Sequence, residues 1–140
     1  MVGNYGSGKT EVSINLAVNR RRVGLDVCIA DLDLVNPYFR TREARTTLTD
    51  LGIKVILPPD QYLQADLPVL SPTIAGMIRE SSELMILDVG GNDVGALVLS
   101  TLADAFGDRK VQVLQVVNPL RPQTSTVSGC ATLRDEIQKA

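Results

Sequence analysis

The chain opens on Gly3-Asn4-Tyr5-Gly6-Ser7-Gly8-Lys9-Thr10, which satisfies the pattern G-x-x-x-x-G-K-[ST] at every position. Few short strings constrain a fold so tightly, because this one requires a strand before it, a helix after it and a turn between them whose amides converge on one anion. Gly3, Gly6 and Gly8 permit the left-handed backbone and close approach that wrapping a polyphosphate demands. Lys9 is placed to bridge the β- and γ-phosphates, and the Thr10 hydroxyl to coordinate Mg²⁺. Asn4, Tyr5 and Ser7 complete the expected lining. Glu11 belongs to the same stretch, although it has no hydroxyl to offer the α-phosphate.

A length of 140 residues suits one domain, and 44% hydrophobic with 21% charged residues is an ordinary globular composition. A formal net charge of −2 argues against non-specific nucleic-acid binding. The run Arg20-Arg21-Arg22 fits the last turn of a helix, where cations meet the negative end of the dipole. The chain has no histidine, which removes the Ser-His and Cys-His nucleophile systems and the commonest zinc ligand. Cys28 and Cys130 have neither metal-ligand spacing nor a disulfide framework, so buried reduced thiols are expected. No apolar stretch has the length of a membrane span and no signal peptide precedes the glycine-rich loop, so a cytoplasmic location is expected.

Residues 9–23 read as a helix with Val12, Leu16 and Ala17 on its inner side and Gly24 as its stop. Residues 26–32 form a nearly continuous apolar run, the mark of a parallel strand buried on both faces. A helix over 42–51, a strand over 53–57, a helix from Ser71-Pro72 to about Glu80 and a strand over 84–87 ending at Asp88 follow. Then come a helix over 94–106, a strand over 111–117 and a helix over 125–139 with Val127, Cys130, Leu133 and Ile137 on one stripe. This alternation predicts an α/β fold: a three-layer α/β/α P-loop domain around a mostly parallel sheet. Only Met1 and Val2 precede the loop, where a central strand is expected. About five buried apolar residues at roughly 1.5–3 kcal/mol each rival the whole net stability of a domain, about 5–15 kcal/mol. The chain is therefore expected to be a single but incomplete domain, clipped at its start and its end.

Asp88-Val89-Gly90-Gly91 follows four apolar residues, so the carboxylate is delivered to the carboxyl edge of the sheet, where α/β proteins bind ligands. It is a candidate metal ligand; a strand-ending aspartate that caps a turn is the plain alternative. Asp31 and Asp33 end a different strand and share a side if that strand persists. Either could orient an attacking water, and a solvated turn explains the pair equally well.

Taken together, the loop, Asp31-Leu32-Asp33 and the Asp88 box resemble the ParA/MinD group of P-loop ATPases, which includes the nitrogenase iron protein, over nearly the whole chain. The resemblance implies that Asp33 positions the hydrolytic water and that Asp31 supports the Mg²⁺ water shell; Lys9, read from the loop itself, is the other candidate catalytic residue. It also implies that Asp88 is the Walker B carboxylate and Gly91 the glycine of the second switch. The stretches Asn4 to Glu11 and Asn36 to Arg40 resemble an uncharacterised bacterial branch more closely still. ATP rather than GTP follows from the resemblance, since Asn118-Pro119 does not form N-K-x-D. A nucleotide-dependent homodimer is the implied partner; nothing in the chain points to nucleic acid or membrane.

Asn4 stands where the group has a signature lysine that reaches the partner's phosphates. A missing trans cation compares with a withheld arginine finger, roughly 10³–10⁵ in rate, so hydrolysis is expected to be slow without a partner unless another cation, such as Arg40 or Arg42, substitutes. Tyr38-Phe39 reads either as a nucleotide-sensitive partner surface or as ordinary packing. Three functions remain open: a nucleotide-driven ATPase switch, an ATP-dependent ligase or kinase of the dethiobiotin-synthetase type, and a non-catalytic nucleotide-binding module.

Overall fold

The computed structural model describes residues 1–33, 44–57, 72–80 and 82–139. Helix α1 (Lys9–Arg22) leads to β1 (Val27–Leu32), followed by α2 (Arg45–Asp50), β2 (Lys54–Ile56), α3 (Pro72–Arg79) and β3 (Leu84–Val89). The remainder carries α4 (Asn92–Thr101), α5 (Ala103–Phe106), a 3₁₀ turn at Pro122–Thr124 and α6 (Val127–Lys139). The expected stretches around Tyr38-Phe39, Arg40, Arg42 and Ser71 lie outside the described residues.

Among the described residues, the three strands run parallel in the order β2-β1-β3. All six residues of β1 are buried, as a continuous apolar run with helices on both faces requires. Val27 and Ile29 pack with Ala17, Leu48 and Ile53 on the α1/α2 side. Cys28, Ala30 and Leu32 pack with Ile78, Val98, Leu102 and Ala105 on the side of α3, α4 and α5. The expected α/β architecture is therefore present, with helices on both faces of a parallel sheet. Burial pushes the Cys28 thiol up to about 11, so it is a small inert hydrophobe.

The helices depart from expectation in detail. Val12 is 42% exposed, whereas Lys9, Ser13 and Ala17 are the buried residues of α1. The small side chains of Ser13 and Ala17 face the sheet and let the helix approach it closely. The helix expected over 94–106 divides into α4 and α5 at Leu102. In α6, Leu133 is buried but Val127 is 88% exposed, because only the middle of the stripe reaches a neighbour.

A further correction concerns residues 111–117, which form an isolated parallel bridge between Gln115 and Val2 rather than a strand. The Val2 amide donates to the Leu114 carbonyl and the Val116 amide to the Val2 carbonyl, at 2.9 and 2.8 Å. On its other side Met1 meets β3: its ammonium donates to the Leu87 carbonyl at 2.6 Å, and the Val89 amide donates to the Met1 carbonyl at 3.2 Å. Met1 and Val2 thus sit in the sheet between β3 and 114–116. Below them, a cavity of about 570 Å³ separates β3 from the preceding segment, lined by Met1, Leu84, Ile86, Phe106, Val111 and Val113. Among the described residues, no neighbouring chain there pairs with 111–113, so an apolar β-former stays irregular and Val111 and Val113 remain exposed.

The basic run does close α1. Arg21 donates to the carbonyls of Leu51 and Leu25, at 3.2 and 3.3 Å, tying the end of α1 to that of α2. Ala17, fully buried against the sheet, gives a direct test of the close helix–sheet contact. Ala17→Leu is expected to cost about 1–3 kcal/mol through overpacking, read from the urea midpoint; an unchanged midpoint would mean that α1 lifts freely.

Candidate functional site

Gly3 to Gly8 form a loop that enters α1 through Gly8, a left-handed N-cap with φ 94°. Its shape is held from within: the Asn4 carbonyl accepts the Ser7 amide and the Lys9 ammonium, both at 3.2 Å. Among the described residues, no backbone carbonyl accepts from the amides of Tyr5, Gly6, Gly8, Lys9 or Thr10. Those donors, together with the positive end of α1, form a concavity suited to an anion.

The strand ends arrive beside this loop. Asp31 and Asp88 are register partners across β1 and β3, so their side chains leave the same face of the sheet. That face is the one covered by α1, since Ile29 and its partner Ile86 pack there with Ala17. Both aspartates are buried, at 4% and 1% exposure. Beyond Leu32 the strand stops, and Asp33 turns back so that its amide donates to the Asp31 carboxylate at 3.1 Å. The side chain of Asp33 rests against Gly90, where an added Cβ would lie 3.1 Å from Oδ1.

Gly91, the N-cap of α4, presses directly on the loop. A Cβ there would come within 3.0 Å of the Gly3 carbonyl and 3.2 Å of the Tyr5 amide. The absence of a side chain is what allows this approach, and it brings the positive end of α4 beside that of α1.

Electrostatics identify the tension in this cluster. Neither carboxylate oxygen of Asp88 has a hydrogen-bond partner. Burial raises its pKa; the nearby Thr10 hydroxyl, which lies outside hydrogen-bonding geometry, and the charges of Lys9 and the Met1 ammonium pull it down, while Asp33 adds to the rise. Burial lowers the pKa of Lys9, opposed by Asp33 and Asp88. The Met1 ammonium is lowered for the same first reason. Buried charges in one small volume with incomplete pairing are costly in isolation, and active sites are where such arrangements concentrate.

The structure therefore brings Gly3, Asn4, Ser7, Gly8, Lys9, Thr10, Asp31, Asp33, Asp88 and Gly91 into one neighbourhood. Tyr5 stands on its outer edge, 60% exposed. Glu11 lies on the exposed first turn of α1 with its carboxylate bonded to Asn15 at 3.0 Å. The large apolar cavity is elsewhere, on the far side of Met1 and Val2. Two residues were not legible as site residues: Asn118 Nδ2 and Arg121 Nε both donate to the Gly6 carbonyl, at 3.2 and 3.3 Å. Asn118-Pro119 at the end of the last apolar run was the available signal.

The donor set available to a cation is all oxygen: Asp88, Asp31 and the Thr10 hydroxyl. Hard oxygen donors suit Mg²⁺, which is commonly held by one or two carboxylates with substrate phosphates and water. The orphaned buried carboxylate of Asp88 fits such an ion. No group of three or more His, Cys, Asp and Glu side chains suited to a metal occurs among the described residues, so the protein alone offers no complete cage.

No protein-family model and no curated protein sequence matches this chain. Among solved structures, a nucleotide-binding protein from Archaeoglobus fulgidus, in complex with ADP and with Co found in it, is similar at a TM-score of 0.58 and 24% identity. The match covers 99% of this chain and 60% of that one, so the chain spans about three fifths of the neighbour's length. At that identity the likeness establishes the fold. Within the described residues, no helix is long and apolar enough to cross a membrane.

Proposed function

We propose that the chain is a P-loop domain that binds Mg²⁺-ATP and hydrolyses it as a nucleotide-driven switch of the ParA/MinD type. The observation that carries this reading is the pairing of unengaged loop amides and Lys9 with the unsatisfied, buried carboxylate of Asp88. The first group calls for a polyanion and the second for a cation, and a metal-bound nucleoside triphosphate supplies both. The ADP bound by the similar Archaeoglobus protein supports a nucleotide as the ligand.

In this reading the amides from Tyr5 to Thr10 grip the phosphates, and Lys9 exchanges the Asn4 carbonyl for β- and γ-phosphate oxygens. Thr10, Asp88 and Asp31 would hold Mg²⁺, directly or through its water. When bound, Mg²⁺ neutralises charge that develops on the transferring phosphoryl group. Asp33 orients the attacking water. Gly91, already in contact with the loop, would sense the γ-phosphate through its amide, so that hydrolysis removes a bond between the start of α4 and the ligand. A nucleotide-dependent homodimer in the cytoplasm belongs to the same reading.

Asp33→Ala tests it. Phosphate release is expected to fall by about 100-fold or more, with Mg²⁺-ATP affinity within about threefold of wild type. Retained hydrolysis would remove Asp33 from that role. One observation favours a second reading, phosphoryl transfer to a small molecule as in ligases or kinases of the dethiobiotin-synthetase type. Asn4 is 5% exposed, so the position of the signature lysine offers neither charge nor reach toward a partner. ATP consumption only in the presence of a small-molecule acceptor would decide for it, and binding without turnover would indicate a non-catalytic module.

A further inference from the structure

Arg121 is an exposed cation that lies against the glycine-rich loop. Its Nε donates to the Gly6 carbonyl at 3.3 Å, two residues before the N-cap of α1. The guanidinium lies so close over Gly6 that a Cβ there would fall 2.7 Å from Cζ. The same loop leads into the positive end of α1.

This placement is built. The turn behind Arg121 is self-bonded: the Arg121 amide donates to the Asn118 carbonyl at 3.1 Å, the Thr124 amide to the Arg121 carbonyl at 3.0 Å and the Thr124 hydroxyl to the Asn118 carbonyl at 2.7 Å. Thr124 is buried at 2% exposure, and Asn118 Nδ2 shares the Gly6 carbonyl with Arg121. Among the described residues no carboxylate pairs with the guanidinium, and only Nε has a hydrogen-bond acceptor. The two η nitrogens remain as unengaged donors beside the loop.

We propose that Arg121 is a phosphate-binding cation of this loop, contributed in cis, with Nε fixing the Gly6 carbonyl and the η nitrogens binding phosphate oxygens of the ligand. This rests on the nucleotide reading above. It places on the chain itself a positive charge in a loop whose lysine-like position is the neutral Asn4. The ligand class is a polyphosphate, and the contact is independent of the nucleoside.

Calorimetry with Mg²⁺-ATP and with inorganic tripolyphosphate tests it on wild type, Arg121→Ala and Arg121→Gln, with thermal unfolding as a folding control. Charge-assisted hydrogen bonds to an anion set the expected loss, about 10- to 100-fold for both ligands in both variants. Arg121→Lys should recover most of the tripolyphosphate affinity. Arg121→Gln retains a donor for the Gly6 carbonyl without the charge, so wild-type binding by that variant overturns the proposal in favour of loop pinning alone. Loss of ATP affinity with tripolyphosphate affinity intact also overturns it, by assigning Arg121 to the nucleoside. If wild type binds neither ligand, both this proposal and the nucleotide reading fail; if wild type binds and Arg121→Ala binds equally well, only this one fails.

Discussion

Lys9→Ala is expected to weaken Mg²⁺-ATP binding by at least about 100-fold, the loss of a charge-assisted donor that in the proposed reading contacts two phosphates. The side chain is 6% exposed and its ammonium already donates to the Asn4 carbonyl, so it is held at the loop before any ligand arrives. Its removal acts twice. The polyphosphate loses a cation, and Asp88 loses one of the two positive charges that counter its desolvation. Lys9→Arg is not a conservative rescue, because a planar fork does not fit the enclosed position of a compact ammonium. Calorimetric titration checks the effect, and an affinity within about threefold of wild type would place the ligand outside the glycine-rich loop.

Asp88→Asn is expected to make the ligand-free protein more stable and the Mg²⁺-dependent one inactive. The carboxylate is 1% exposed with both oxygens unpartnered. Neutralising it removes a desolvated charge, a gain of about 1–3 kcal/mol, or roughly 2–10 °C in Tm for a domain of this size. The pH dependence has a definite sign. Burial raises the folded-state pKa of Asp88 above its ordinary 3.8, so the folded protein holds that proton more tightly than the unfolded chain. Wild-type stability therefore falls as pH rises from the unfolded value through the raised folded one, and the advantage of the Asp88→Asn variant is full above that window. Below the unfolded pKa the two proteins converge. Added Mg²⁺-ATP should reverse the ranking at neutral pH, since only wild type gains the ion. A variant no more stable than wild type in the absence of ligand would show that Asp88 is already compensated, and the argument for a cation at that carboxylate would fall with it.

The two variants pull the site apart from opposite sides, and their contrast is informative. Lys9 and Asp88 share a buried pocket in which each is disfavoured by desolvation and supported by the other's charge. A protein optimised for stability alone would replace both. In the proposed reading, their presence in one site exchanges stability for a place where an anion and a cation would bind together.

Much of this was legible from local pattern. A continuous apolar run such as 27–30 tolerates neither an exposed face nor a surface helix, so a buried parallel strand was the only economical reading. The string from Gly3 to Thr10 dictated its own turn, because the backbone angles available to glycine are set within the residue. Other features depended on distant backbone. Residues 111–117 have the composition of a strand, yet strand formation requires a neighbour's carbonyls and amides, and only Val2 supplies them among the described residues. The inner face of α1 likewise went to Ser13 and Ala17 instead of Val12, since helix–sheet spacing, rather than hydropathy, chose the residues that fit.

By itself, the amino-acid sequence determined the glycine-rich turn, the α/β alternation and the carboxylates at strand ends, since each follows from short-range sterics and side-chain chemistry. Tertiary structure alone decided that Asp31 and Asp88 would stand abreast, that Gly91 would lean on Gly3, and that Arg121 would lie over Gly6. Those encounters join residues far apart in the chain, and the register of parallel strands and the packing of whole elements, which no local window contains, bring them together.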